Sequence, residues 1–209
     1  MISIIGAGLK GLSCGLTLQD HGYSVKIIEV RQEIGNPVRS PGWLTEPLEE
    51  DIMNLSKSFE TRIGFSVRRE WLERALATKL TSNGGQIILK NHHQIHSAKE
   101  IDCTGHKTQF PGWPISSKEN NNYCIWYGGL SLIDDIPSDF ELNTVNKTNF
   151  CIARYDGLAE CWANHPMKEP TKGWIEIMQG EHHKNIKMIS ATNSIKKGQL
   201  LAAEYIQDW

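Results

Sequence analysis

The sequence predicts an α/β fold, a parallel sheet with helices on both faces that carries a small antiparallel β insertion. Three observations predict it. A strand, a glycine turn, a helix and a second strand follow one another within residues 1–29. A helix followed by a strand recurs over residues 67–89. Further on, an Asp-Gly pair at 156–157 separates two runs with strand character.

Met1-Ile-Ser-Ile-Ile5 is nearly all apolar and reads as a buried strand, and Leu9, Leu12, Leu16 and Leu18 space the following helix. Between them lies Gly6-Ala7-Gly8-Leu9-Lys10-Gly11. Gly6 suits the tight turn, Gly8 the approach of backbone to a pyrophosphate, and Gly11 close packing of helix on strand. A helix that starts there presents unpaired N–H groups and the positive end of its dipole to that anion. Lys10 is expected to face solvent and to offer only its N–H. The second strand, Ser24-Val-Lys-Ile-Ile28, ends at Glu29, where a carboxylate can accept from both hydroxyls of an adenosine ribose. A methyltransferase also combines a glycine turn with a strand-end acid, but its turn rarely continues to a third, helical glycine.

Composition bounds the classes. The 209 residues suffice for one large domain, or one with an insertion. A net charge of −2 with 22% charged residues gives no electrostatic case for nucleic acid or an anionic membrane. No apolar run approaches the roughly 20 residues that span a bilayer. The first strand begins at Met1, which leaves no room for a signal peptide, so a cytoplasmic location is expected. Five cysteines, an odd number without a C-x-x-C, point to reduced thiols. Trp113, Trp126, Trp162, Trp174 and Trp209 gather in the later half, where the substrate side is expected.

After Glu29 come Val30-Arg31, then Gly35 and Arg39-Ser-Pro-Gly42-Trp43-Leu44. Arg31 and Arg39 are two planar cations suited to a diphosphate, or two solvated side chains on a Pro/Gly loop. This segment resembles that of the FAD-dependent aromatic hydroxylase and geranylgeranyl reductase group, which includes flavin-dependent halogenases and lycopene cyclases. The likeness continues in Arg69-x-x-Leu72-x-x-x-Leu76, which opens a helix to about Thr81 closed by Ser82-Asn83-Gly84-Gly85. Strands follow at Gln86–Leu89, around Gln94-Ile95 and at Glu100-Ile101, and Asp102-Cys103-Thr104-Gly105 is similar to the group's D-A-T-G strand end. Asn185–Ile189 reads as a strand, 190–194 as a polar turn and Ile195–Ile206 as a helix that looks like the group's last cofactor segment.

The resemblance implies a strongly shortened Rossmann-like FAD-binding domain, 1–112 with 185–209, and a β-rich cap, 113–184. It implies FAD held by Gly6, Ala7, Gly8, Leu9, Lys10, Gly11, Glu29, Val30, Arg31, Arg39, Thr104, Gly105, Thr192 and Asn193. It further implies an FAD-dependent oxidoreductase of monooxygenase, halogenase or reductase type acting on a small organic molecule, with NADH or NADPH as electron donor. Two features depart from the group. Its Gly-Asp ahead of the last turn is replaced by Gly180-Glu181, which also reads as a hairpin turn, and the hydroxylases' Asp-Gly is missing. Alternatives are an NAD(P)-binding dehydrogenase, with Arg31 on a 2′-phosphate, and a non-catalytic flavin-holding protein.

Within the cap, Tyr123–Tyr127, Phe150–Tyr155, Leu158–Ala163 and Trp174–Met178 read as strands, the middle pair a hairpin on a type I′ turn. Trp162 could wall a flat substrate and His165 serve as acid or base; the plainer alternative is a core tryptophan and a loop histidine. His92-His93-x-x-His96 invites a metal, but on a strand His92 and His96 stand about 13 Å apart and no carboxylate or cysteine cluster completes a site, so no metal is expected. His182-His183 reads as a polar loop. A cap this small calls for a partner chain or second copy to close the pocket, so a homo-oligomer is a further expectation.

Overall fold

The computed structural model describes residues 1–37, 40–93, 100–104 and 122–207. In chain order the elements are β1 Ile2–Ile5, α1 Leu9–Asp20, β2 Val25–Ile28, β3 Trp43–Leu44, α2 Glu50–Leu55, β4 Phe59–Thr61 and β5 Gly64–Ser66. They continue with α3 Arg69–Ser82, β6 Gln86–Ile88, β7 Glu100–Asp102, β8 Tyr123–Leu132, β9 Thr144–Val145, β10 Asn149–Ala153, β11 Leu158–Ala163, β12 Glu176–His183 and α4 Ala191–Gln207. The chain is a mixed α/β protein with a parallel sheet and a separate antiparallel one. Its backbone divides into two compact units, Met1–Pro37, Leu72–Ile115 and Ser194–Trp209 in the first, Val38–Trp71 and Ser116–Asn193 in the second. Residues 38–71 and 185–193, which the sequence grouped with the nucleotide-binding part, make their contacts in the second unit.

The first unit is built on a parallel sheet in the order β6-β2-β1-β7. Ile4 pairs with Ile27 on one side and with Ile101 on the other, and these side chains are buried. Burial of an aliphatic side chain of this kind contributes about 1.5–3 kcal/mol. Helix α1 connects β1 to β2 and lays Leu9, Leu12 and Leu18 into the core. Gly15 gives it room, since a Cβ there would stand 2.6 Å from Leu80 of α3.

The second unit holds a five-stranded antiparallel sheet, β12-β8-β11-β10-β9, and a three-stranded one, β3-β5-β4. Trp43, Trp126, Phe150, Ile152 and Trp162 form one cluster, with Trp43 and Phe150 rings 5.2 Å apart. The hairpin forms, with Cys151 opposite Cys161, but not on the expected type I′ turn: Tyr155-Asp156-Gly157 make a three-residue loop in which Gly157 donates to the Arg154 carbonyl at 3.3 Å and takes φ 78° while Asp156 keeps a negative φ.

Several boundaries differ from the sequence expectations, each for a local reason. Gly180-Glu181 is no turn and His182-His183 no loop, because β12 runs straight through them, paired residue by residue with Trp126 to Tyr123 of β8. Residues 186–188 form a 3₁₀ turn rather than a strand, started by the Asn185 side chain, which accepts from the Lys187 N–H at 3.1 Å. Helix α4 starts at Ala191 rather than Ile195, since the Ser190 hydroxyl accepts the Asn193 N–H at 3.2 Å and caps it. Thr192 and Asn193 are therefore helical. The expected strand around Gln94-Ile95 lies outside the described residues. No helix of the described residues is long and apolar enough to cross a membrane.

Candidate nucleotide site and cleft

In the first unit, β2 flanks β1 on one side and β7 on the other, so the chain direction of winding reverses at β1. In open parallel sheets, ligands bind outside the carboxyl ends of the strands at such a reversal. Three segments leave those ends here, the glycine turn after β1, Glu29 after β2 and Cys103-Thr104 after β7.

The three segments interlock. Gly6, at φ 100°, donates to the Ile28 carbonyl at 2.8 Å, and a Cβ on it would press the Cys103 and Thr104 backbone at 3.2–3.3 Å. Gly11 is still tighter, since its Cβ would lie 1.9 Å from the Gly6 carbonyl oxygen. Gly8 is the opposite case. It caps α1 with extended backbone and no side-chain hydrogen bond, and a Cβ there would meet nothing within 4 Å. Two glycines hold the turn together, and the one between them faces open space.

Glu29 is buried and heavily engaged. Oε2 accepts the Ala7 N–H at 2.7 Å and an Arg31 guanidinium N–H at 3.1 Å, and Oε1 accepts the Arg31 backbone N–H at 2.9 Å. Burial alone would raise this carboxyl's pKa; the Arg31 side chain and the Arg31 and Ala7 N–H groups outweigh it and hold it below the usual value. Arg31 also reaches buried Glu73 at 3.5 Å. Burial would lower the Arg31 pKa, but Glu73 and Glu29 raise it. Of about four acceptor positions on a carboxylate, three are taken, so the ribose diol expected on Glu29 finds one.

Lys10 does not face only solvent, because its ammonium donates to the Asp102 carbonyl at 3.2 Å. Asp102 Oδ1 accepts both the N–H and the hydroxyl of Thr104, at 2.8 and 2.7 Å, which shapes the bend beside Gly6. Ala7 and Leu9 are buried and Val30 half-buried at the rim of the turn. Arg39 and Gly105 lie outside the described residues. The last helix packs on the first, with the Ser13 hydroxyl donating to the Ile195 carbonyl at 3.0 Å and a Gly198 Cβ only 2.1 Å from the Lys10 carbonyl oxygen.

In the second unit, the Thr192 hydroxyl accepts the Thr45 N–H at 2.9 Å, and the Asn193 amide donates to the Met188 carbonyl at 2.7 Å. The first bond ties the start of α4 to the stretch after β3, and the second ties it to the 3₁₀ turn just before it. Beside them opens a cleft of about 920 Å³ lined by Trp43, Thr45, Val145, Asn146, Lys147 and Asn185–Lys187. Its volume lies within the roughly 300–1,000 Å³ of small-molecule sites.

Trp162 is not a substrate wall. It is fully buried, its indole N–H donates to Glu160 at 2.7 Å, and its ring occupies the space a Gly128 Cβ would need. His165 is an exposed loop residue with its Nδ1 3.2 Å from the Pro166 carbonyl oxygen. Of the three histidines weighed as ligands, His93 contacts Glu100 at 2.7 Å and His96 lies outside the described residues. Among the described residues no group of three or more His, Cys, Asp or Glu side chains gathers around a common point.

Sequence reasoning missed Glu160. It accepts the Gly42 N–H at 2.9 Å and the Trp162 indole N–H, and burial raises its pKa against the pull of Arg154 and those donors. Only its position in an otherwise apolar strand, Leu158-Ala-Glu-Cys-Trp-Ala163, could have signalled it.

The family profile of the NAD(P)-binding Rossmann-like domain matches residues 4–42. Among solved structures, a geranylgeranyl bacteriochlorophyll reductase-like protein from Thermoplasma acidophilum superposes with a TM-score of 0.61 at 14% identity, over 99% of this chain and 78% of that one. A flavin-dependent brominase superposes at 0.63 and 14%, over 99% and 78%. A protein solved in complex with FAD and a substrate, CtdE, does so at 0.56 and 10%, over 97% and 80%. The chain has their fold. No curated protein sequence matches it.

Proposed function

We propose that the chain is an FAD-dependent oxidoreductase acting on a small organic molecule. The observation that carries this reading is the turn at the carboxyl end of β1, where Gly6 and Gly11 are locked against backbone while Gly8 stands open. That opening, next to an uncapped helix start, suits a pyrophosphate, and Glu29 at the next strand end suits the adenosine ribose. A shared fold with a flavin-dependent brominase and an FAD complex supports a flavin over other dinucleotides.

In this reading the N–H groups at the start of α1 hold the diphosphate, with the helix dipole behind them. Glu29 stays ionised, because its donors keep its proton off, and accepts a ribose hydroxyl at its remaining position. When bound, FAD supplies the reversible hydride chemistry. The cleft beside Trp43 takes the organic substrate, with Trp43, Val145 and Ile186 as apolar wall and Lys147, Lys187 and two asparagine amides as polar rim. NADH or NADPH serves as the electron source.

An NAD(P)-dependent dehydrogenase is the second reading, favoured by the profile match over residues 4–42. Against it, Arg31 is already held between two carboxylates and is poorly placed to receive a 2′-phosphate. Purified protein should bind FAD, with absorbance bands near about 370 and 450 nm that bleach on adding NADH or NADPH. A colourless protein that takes up no FAD but binds NADPH by calorimetry would replace this proposal with the second reading.

A further inference from the structure

We propose that Cys151 and Cys161 form a redox pair, in which hydrogen peroxide joins the two thiols as a cross-strand disulfide that staples β10 to β11. The two residues face each other in the register of the hairpin, and the Cys161 thiol donates to the Cys151 sulfur at 3.2 Å.

The pairing places them where such a bond closes without moving backbone. The Arg154 N–H donates to the Leu158 carbonyl at 2.8 Å and the Asn164 N–H to the Thr148 carbonyl at 3.0 Å. Hydrogen-bonded and non-bonded pairs alternate along an antiparallel ladder, so Cys151 and Cys161 fall on a non-bonded position. Cα atoms at such a position stand about 4.5 Å apart, inside the range of about 4.4–6.8 Å that disulfides span. Side-chain rotation then suffices to close the bond.

Both thiols are fully buried, and the hydrogen bond between them, together with burial, pushes the Cys161 thiol up. Thiols in that state resist bulky reagents and react slowly. Their cover is thin. They pack with Phe140, Ala159 and Ala163, and around these lie half-buried Ile136, Leu142, Met167 and Trp174. Those four side chains come from the connections 133–143 and 164–175 rather than from a helix or strand. Beyond β10 the sheet ends at β9, which has two residues. A loop cover of this kind opens locally, and peroxide is small enough to enter.

Peroxide is the one co-reactant. One sulfur attacks a peroxide oxygen, the O–O bond breaks, and water leaves behind a sulfenic acid. The second sulfur attacks the first, the S–S bond forms, the S–O bond breaks, and a second water leaves. The two thiols lose two electrons and peroxide gains them. On its other edge Cys151 pairs with Thr144, and Val145, Asn146 and Lys147 just beyond it line the cleft. The staple therefore ties the strand beside that cleft wall to β11.

The test is peptide mapping of the full chain after hydrogen peroxide, with free thiols alkylated in denaturant before trypsin. Trypsin cuts after Arg154, between the two cysteines, so the disulfide would hold fragments 148–154 and 155–168 together. Treated wild type should yield that linked pair, and dithiothreitol should release it. The oxidised protein should melt about 5 °C above the reduced one. Cys161→Ala should lose both the linked fragments and the shift; Ala159 and Ala163 already occupy that face, so alanine fits there. Cys124→Ala, which removes the half-buried thiol of β8, should keep both. Separate, alkylated fragments from treated wild type would overturn the pair, and so would linkage of either cysteine to Cys124 instead. A linked pair with an unchanged or lower melt would overturn the staple.

Discussion

Gly8→Ala separates a turn built to fold from a turn built to bind. The added methyl meets no atom within 4 Å, and the backbone at φ −78° is ordinary for alanine. The fold therefore loses only the small advantage of glycine over alanine at a helix N-cap, about 0.5 kcal/mol. For a chain of this size that is a fall of about 1–2 °C in Tm. In the proposed reading the same methyl stands where the pyrophosphate approaches, and one hydrogen bond to a charged group is worth about 1.5–3 kcal/mol. Losing one should raise the FAD dissociation constant at least tenfold. Gly11→Ala gives the reverse pattern. Its Cβ would fall 1.9 Å from the Gly6 carbonyl oxygen, a backbone atom that cannot swing away. Overpacking costs about 1–3 kcal/mol, partly offset by the helical preference of alanine. Thermal melts and a fluorescence titration with FAD measure both. Wild-type FAD affinity in Gly8→Ala, or a fall of more than about 5 °C in its Tm, would refute the division of labour.

Four other outcomes are expected. Arg31→Met leaves buried Glu29 and Glu73 facing each other without their cation, which should cost about 3 kcal/mol, or roughly 6–12 °C, at neutral pH and less in mild acid. Glu29 has a lowered pKa, so the stability it adds is complete above its ordinary value of 4.5 and is lost as pH falls through the lower folded value. Urea melts of wild type and Glu29→Gln should therefore differ by a constant amount above about pH 4.5 and converge progressively as pH falls below it. Gly198→Ala drives a methyl to 2.1 Å from the Lys10 carbonyl oxygen and should lower Tm by several degrees, read by calorimetric scanning. Of the five free cysteines only Cys124 is not buried, and burial raises even its thiol. A thiol reagent should label one site slowly in the native protein and five in denaturant.

The first unit was legible because its signals are local. Gly6, Gly11 and Glu29 each answer a backbone demand within one strand-helix-strand passage, and Asp102-Cys-Thr104 ends a strand that pairs with β1. The second unit was less legible because its short elements are held from a distance. Strands β3, β4 and β5 are two or three residues long, and the Trp43 indole N–H that braces them donates to Ile63, twenty positions away. Helix α2 has six residues, too few for a periodic pattern to show. Gly180 looked like a turn because glycine usually punctuates; in β12 it simply pairs with Trp126. Glu160 and Gly42 stand 118 residues apart, and no spacing rule links them.

The crowding around Glu29 bears on sugar preference. With the Ala7 and Arg31 donors in place, its carboxylate can greet one hydroxyl of a nucleotide and not the pair. A 2′-deoxy adenosine moiety would then forfeit at most about 1 kcal/mol, and a 3′-deoxy one no more. In the proposed reading, this strand end is therefore nearly indifferent to which of the two ribose hydroxyls is present.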